Sequence, residues 1–203
     1  MALEAPKPML RSLSEGAPAY DALWIVYARD PEAPPPKRWR SLVSYGRLDI
    51  VARVLLAALY PGGALDGDTA LILYLEGDNR AGIYEFTPEC LPETAHYEEE
   101  AARILLAALH GSSSCSSVVG GDAPSLEGLA RLYRKAGYAV KVLREGGKLL
   151  QQHTPRSAYI VGTYVDPPPL RGFDHFSVGP CSYLASHVVA YVNALRRLAQ
   201  TAS

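Results

Sequence analysis

Two uninterrupted apolar runs, Leu23-Trp-Ile-Val-Tyr-Ala28 and Thr69-Ala-Leu-Ile-Leu-Tyr-Leu75, constrain the fold of this chain more than any other feature. A strand with one wet face alternates polar and apolar side chains, so a run without alternation predicts a strand covered on both faces. Between the two runs Leu48, Val51, Leu55 and Ala58 recur at helical spacing, which predicts a helix over 47–60 with an apolar face. A buried strand, a helix and a second buried strand are the opening of a mainly parallel α/β sheet flanked by helices.

The rest of the chain keeps that rhythm. Residues 82–86 read as a short edge strand and 93–109 as a helix, stopped by the loop Gly111-Ser-Ser-Ser-Cys-Ser-Ser117. A helix over 125–136 is closed by Gly137, and strands follow at 138–143, 159–162 and 175–178. The last helix, 183–198, carries Leu184, Val188, Tyr191, Leu195 and Leu198 on one stripe. With 203 residues and 48% hydrophobic content the chain can bury a full core, so one domain over 21–203 is expected, after a loose arm at 1–20.

Other features narrow the class. Cys90, Cys115 and Cys181 are odd in number and far apart, and read as free thiols in a reducing compartment. No apolar run reaches transmembrane length and the first residues lack a signal-peptide core, so a cytoplasmic protein is expected. His96, His110, His153, His175 and His187 show no metal-ligand spacing, and no Gly-x-Ser-x-Gly elbow accompanies Ser182 and His187; no metal site or hydrolase triad is expected.

Net charge is only −1, but its distribution is uneven: 10 basic and 16 acidic side chains lie in 1–110, against 10 and 5 in 111–203. A basic C-terminal half suits an anionic cofactor or a folded RNA, and equally an ordinary solvated face. The cations available for RNA phosphates are Arg131, Arg134, Lys135, Arg144, Lys148, Arg156, Arg171, Arg196 and Arg197.

The densest motif is Phe176-Ser-Val-Gly-Pro-Cys-Ser-Tyr-Leu-Ala-Ser-His187, preceded by Tyr159-Ile-Val-Gly162. Each part reads as a short strand entering a glycine turn, and two such turns side by side make a pocket lined by backbone. Taken singly, each glycine is an ordinary turn residue. Together with Gly46-Arg-Leu-Asp49 and Leu143-Arg-Glu-Gly146, these segments stand in the order found in the archaeal tRNA pseudouridine-54 N1-methyltransferases (TrmY), which the chain resembles over about 21–200.

That family belongs to the SPOUT methyltransferases and is similar to the ribosomal pseudouridine N1-methyltransferases. The resemblance implies a deep C-terminal trefoil knot over about 138–200, a homodimer, and S-adenosyl-methionine held by Leu143, Gly162, Val178, Gly179, Pro180, Cys181, Ser182, Tyr183 and Val188. It implies tRNA as partner, with Asp49 orienting or deprotonating the ring nitrogen and Arg47 holding the base or a phosphate. Read from the residues alone, Arg47 and Asp49 are first-turn helix chemistry. Thr163-Tyr164 stands where many relatives carry Asp-His, and Val188 where a cysteine is common. Another RNA substrate, or a non-catalytic RNA-binding or assembly role on the same fold, are the alternatives.

Overall fold

In the computed structural model the first apolar run becomes β1 (Ala22–Arg29), near the middle of a seven-stranded sheet. The structure describes residues 10–14, 16, 19–29, 39–45, 47–77, 81–120, 123–181 and 183–201. The other strands are β2 (Thr69–Glu76), β3 (Ala81–Phe86), β4 (Ser117–Val119), β5 (Ala139–Leu149), β6 (Ser157–Gly162) and β7 (Asp174–Ser177). The helices are α1 (Leu48–Leu59), α2 (Glu98–Leu109), α3 (Leu126–Lys135) and α4 (Ala185–Thr201). Strand order is β4-β3-β2-β1-β6-β5-β7, parallel from β2 to β7 and antiparallel only at β3 and β4.

The lack of alternation in β1 has the expected cause. Trp24, Val26 and Ala28 point into a core shared with α1, α2 and α4, while Leu23, Ile25 and Tyr27 point into a second core under α3. Trp24 stacks on Tyr159 of β6, ring centroids 5.1 Å apart, a contact worth roughly 1 kcal/mol beyond the area it buries. The helix ends are legible too. Ser125 caps α3 by accepting the Gly128 N–H at 3.1 Å, and Gly137, at φ 92°, closes it.

Several expectations are corrected. β3 is not an edge strand, because β4 forms from the end of the serine-rich loop and pairs outside it. Cys90 and Cys115 are not free thiols: the end of β3 and the loop before β4 bring them together as a disulfide, leaving Cys181 free and exposed. The strand expected to end at residue 143 runs on to Leu149. In α4 the buried residues are Ala185, Val188, Val189, Val192, Asn193 and Arg196, so the face turned inward is not the expected stripe, and Leu184, Tyr191 and Leu198 face outward.

In the segment expected as an arm, residues 1–9 lie outside the described residues, but Leu10 is buried in the α3-side core. The backbone N–H groups of Arg11 and Ser12 donate to the buried Glu85 carboxyl at 2.5 and 2.8 Å. Among the described residues no helix is long and apolar enough to cross a membrane.

Candidate functional site

β5, β6 and β7 run parallel, so their carboxyl ends share one edge of the sheet, where open α/β folds place their ligands. The chain leaving β6 doubles back at once: Thr163 N–H donates to Tyr27 O at 3.0 Å, and the Val165 carbonyl folds onto Gly162, where any Cβ would collide with it. Gly162 is therefore required by its own chain rather than by a ligand. The return brings Asp166 beside β5, where its Oδ2 accepts the Glu145 N–H at 2.9 Å.

β5 supplies the second wall through an irregularity. Leu143 and Lys148 both pair with Phe176, so residues 144–147 loop out of the ladder and raise Arg144 and Glu145 as a rim. Gly147 is needed there, since a Cβ would stand 2.5 Å from the Phe176 backbone. The third wall follows β7.

The result is one hollow bordered by Leu143, Val161 and Val188 as an apolar, buried floor, by Arg144, Glu145, Asp166 and Ser177 as polar rim, and by Val178, Cys181 and Tyr183. Of the nine expected ligand residues, six meet here: Leu143, Gly162, Val178, Cys181, Tyr183 and Val188. Gly179 touches the hollow only through Tyr183, whose hydroxyl lies 2.7 Å from where a Cβ would be; Pro180 is exposed and does not border it. Ser182, like Gly46, lies outside the described residues. The clear space in this half-open hollow is about 50 Å3, below the roughly 300–1,000 Å3 of a typical ligand cleft.

The expected ligand residues left out Arg144, Glu145, Val161, Asp166 and Ser177, although all but Asp166 lie inside the quoted motifs. Arg144 and Glu145 were within a quoted motif, but nothing in it shows that the strand breaks there. Asp166 had no local signal, because its place depends on the turn at Gly162.

Asp49 and Arg47 stand apart from this hollow. Arg47, the N-cap of α1, is left-handed at φ 60°, a backbone state that costs a non-glycine residue about 1–2 kcal/mol. That turn lets its guanidinium reach two residues ahead, Nε to Asp49 Oδ1 at 3.0 Å and Nη2 to Oδ2 at 3.2 Å. The hydrogen bonds and charge of Asp49 raise the Arg47 pKa. Arg53 Nη2 lies 3.5 Å from Asp49 Oδ2, and Arg53 Nε lies 3.0 Å from Glu98 in an ion pair without hydrogen-bond alignment. Asp49 borders a separate cleft of about 190 Å3 with Leu42, Val43, Arg53 and Glu98.

Between α1 and α4 runs an open groove of about 710 Å3, floored by Ala57, Ala190 and Ala194 and flanked by Arg53, His96 and Arg197. Asn193, buried at its base, donates to Ala57 O at 2.8 Å, while its Oδ1 has no partner among the described residues.

Of the expected RNA-contacting cations, Arg196 is excluded. It is buried, with Nε 2.5 Å from Asp21 and Nη1 2.5 Å from Asp66, and it joins α4 to the entries of β1 and β2. His153 continues the network, 2.8 Å from the Tyr159 hydroxyl and 3.2 Å from Asp21. Burial lowers the His153 pKa against the opposing pull of Asp21, and burial pushes Tyr159 up to about 12. The other cations are at least partly exposed, apart from internal ties such as Arg131 to Glu127 and Arg134 over the Phe173 ring.

No protein-family model and no curated protein sequence matches this chain. Among solved structures it is similar to that of Archaeoglobus fulgidus Nep1 bound to S-adenosylhomocysteine, with a TM-score of 0.57 and 16% identity over 89% of this chain and 99% of that one. At this identity the likeness is one of fold.

Proposed function

We propose that this chain is an S-adenosyl-methionine-dependent RNA methyltransferase of the SPOUT type that methylates N1 of pseudouridine in the T-loop of tRNA, working as a homodimer with residues 138–200 threaded as a trefoil knot. The observation that carries the proposal is the convergence of the ends of β5, β6 and β7 on one hollow, in a fold similar to that of a protein crystallised with S-adenosylhomocysteine.

The residues present fit such a donor chemically. Leu143, Val161 and Val188 offer flat apolar contact for an adenine, and the carboxyls of Asp166 and Glu145 with the Arg144 guanidinium offer partners for hydroxyl, ammonium and carboxylate groups. Bound there, the donor supplies a methyl group activated on a sulfonium. The chain's own part is proximity, aligning a ring nitrogen behind that methyl and providing a path for the proton that leaves. Both Asp49 oxygens are engaged by guanidinium groups. Asp49 on this reading acts first by fixing Arg47 against the base or an adjacent phosphate, and takes up the ring proton only when substrate displaces one of those contacts. The second copy occupies the α1/α4 groove, whose small residues permit close helix approach.

Incubation with unmodified and pseudouridylated tRNA, followed by mass-spectrometric mapping, tests the assignment. One methyl on the pseudouridine base is expected; a methyl elsewhere moves the substrate, and none on any tRNA overturns the reaction. Binding through phosphates also requires tRNA affinity to fall steeply between 50 and 200 mM salt, roughly a thousandfold if six phosphates are neutralised. A second reading, a non-catalytic RNA-binding protein on the same fold, draws support from the small volume of the hollow. Calorimetry with S-adenosylhomocysteine separates the two, since micromolar binding is expected only of the enzyme.

A further inference from the structure

The hollow at the ends of β5, β6 and β7 has the lining of a ligand site but only about 50 Å3 of clear space, so a ligand of nucleoside size is fully enclosed only if a wall moves. The floor is fixed. Leu143 and Val161 lie in strands paired on both sides, and Val188 lies in α4, packed on the α1 core; all three are buried.

Tyr183 is different. It falls between the end of β7 and the start of α4, outside both elements, and its side chain is 45% exposed although it borders the hollow. Among the described residues its hydroxyl makes no hydrogen bond and no polar contact holds the ring. What seats it is shape: the ring lies over Gly179, with hydroxyl and ring edge 2.7 and 2.9 Å from the position a Cβ would take.

We propose that Tyr183 is a gate: in the empty protein its ring occupies the seat over Gly179, and a ligand of the hollow enters only when the ring swings outward, after which it covers the ligand. The proposal rests on the hollow being the methyl-donor site. It adds that the competent, open state is a minor one, so that apparent affinity is reduced by the open fraction, and that association is governed by the ring. If one molecule in ten is open, removing the ring speeds association and strengthens apparent binding by up to about tenfold, less whatever contact the ring gives the bound ligand.

The probe is S-adenosylhomocysteine with the full chain. Calorimetry and stopped-flow association are compared for the wild type and Tyr183→Ala, and a third variant, Tyr183→Trp, places a fluorophore in the seat. The expected results are association several-fold to about tenfold faster in Tyr183→Ala, and in Tyr183→Trp an emission change whose rate saturates with ligand concentration as opening becomes limiting. Equal association rates in the wild type and Tyr183→Ala, or Tyr183→Trp emission that stays constant while calorimetry records binding, overturn the gate and leave the donor site standing. No heat with any of the three proteins overturns the donor site and the gate together. Because Tyr183 is half exposed and outside the core, thermal melts of the variants should superimpose, which separates gating from loss of fold.

Discussion

Arg47 holds the carboxylate of Asp49 in a two-point grip, Nε to Oδ1 at 3.0 Å and Nη2 to Oδ2 at 3.2 Å, from a left-handed backbone at the mouth of α1. Neighbours two apart on a helix do not face each other, so the grip exists only because Arg47 precedes the helix in a conformation that turns it back. Strain kept at a half-exposed, charged position is what the proposed role in holding substrate would require.

Asp49→Asn leaves the size of the side chain unchanged and removes the charge that the fork requires. Single-turnover methylation should fall by at least about 100-fold, with tRNA binding weakened far less. Arg47→Lys, which keeps the charge but not the fork, should fall between the two. Full activity in Asp49→Asn would remove Asp49 from the chemistry.

The Arg196 network makes the fold sensitive to acid. Burial by itself would raise the Asp21 pKa, but hydrogen bonds from Arg196 and His153 outweigh it and hold the carboxyl below its ordinary value of 3.8. His153 is lowered from 6.5, chiefly by burial. In both cases the unfolded chain binds protons more readily, so the stabilisation is complete above the unfolded pKa and is lost as pH falls through the folded one. Denaturant melts should show stability declining from just below pH 6.5 and again below 3.8, the first decline vanishing in His153→Gln if that variant folds. Arg196→Met, which leaves Asp21 and Asp66 without a cation, should cost about 3–5 kcal/mol.

The Cys90–Cys115 bridge closes a stretch of 25 residues that includes α2. Loop closure of this length is worth about 3 kcal/mol, or roughly a 6–12 °C fall in Tm on reduction for a chain of this size. Calorimetric melts with and without reductant should differ by that amount in the wild type and coincide in the Cys90→Ser, Cys115→Ser double variant.

Gly162→Ala drives a methyl into the Val165 carbonyl and unseats the turn that carries Asp166. A stability loss of about 1–3 kcal/mol is expected, with S-adenosylhomocysteine binding lost. Asp166→Asn keeps the turn and tests the carboxyl alone, with a several-fold loss of affinity and little change in Tm.

The sheet was legible because period and composition are local properties: the run from Leu23 to Ala28 is apolar throughout because β1 is covered on both faces. Two of the three floor residues, Leu143 and Val188, were visible through the family resemblance. The rim was not. Asp166 reaches the site through a reversal imposed by one missing Cβ, and Arg144 and Glu145 reach it through a break in pairing with β7. The disulfide was hidden for the same reason, since Cys90 and Cys115 become neighbours only once β3 and β4 pair. Arg196 looked like one more surface cation because its partners, Asp21 and Asp66, are more than a hundred positions away.

Glu85 governs where the amino terminus can be trimmed. Glu85 is 1% exposed, and among the described residues its carboxyl is satisfied by the peptide N–H groups of Arg11 and Ser12 alone. A truncation starting at Ser14 would strip both donors and uncover the pocket that Leu10 fills, at about 1–3 kcal/mol for the orphaned acceptor alone. Expression tags for this protein therefore belong ahead of Leu10, and a shortened clone chosen for crystallisation should begin no later.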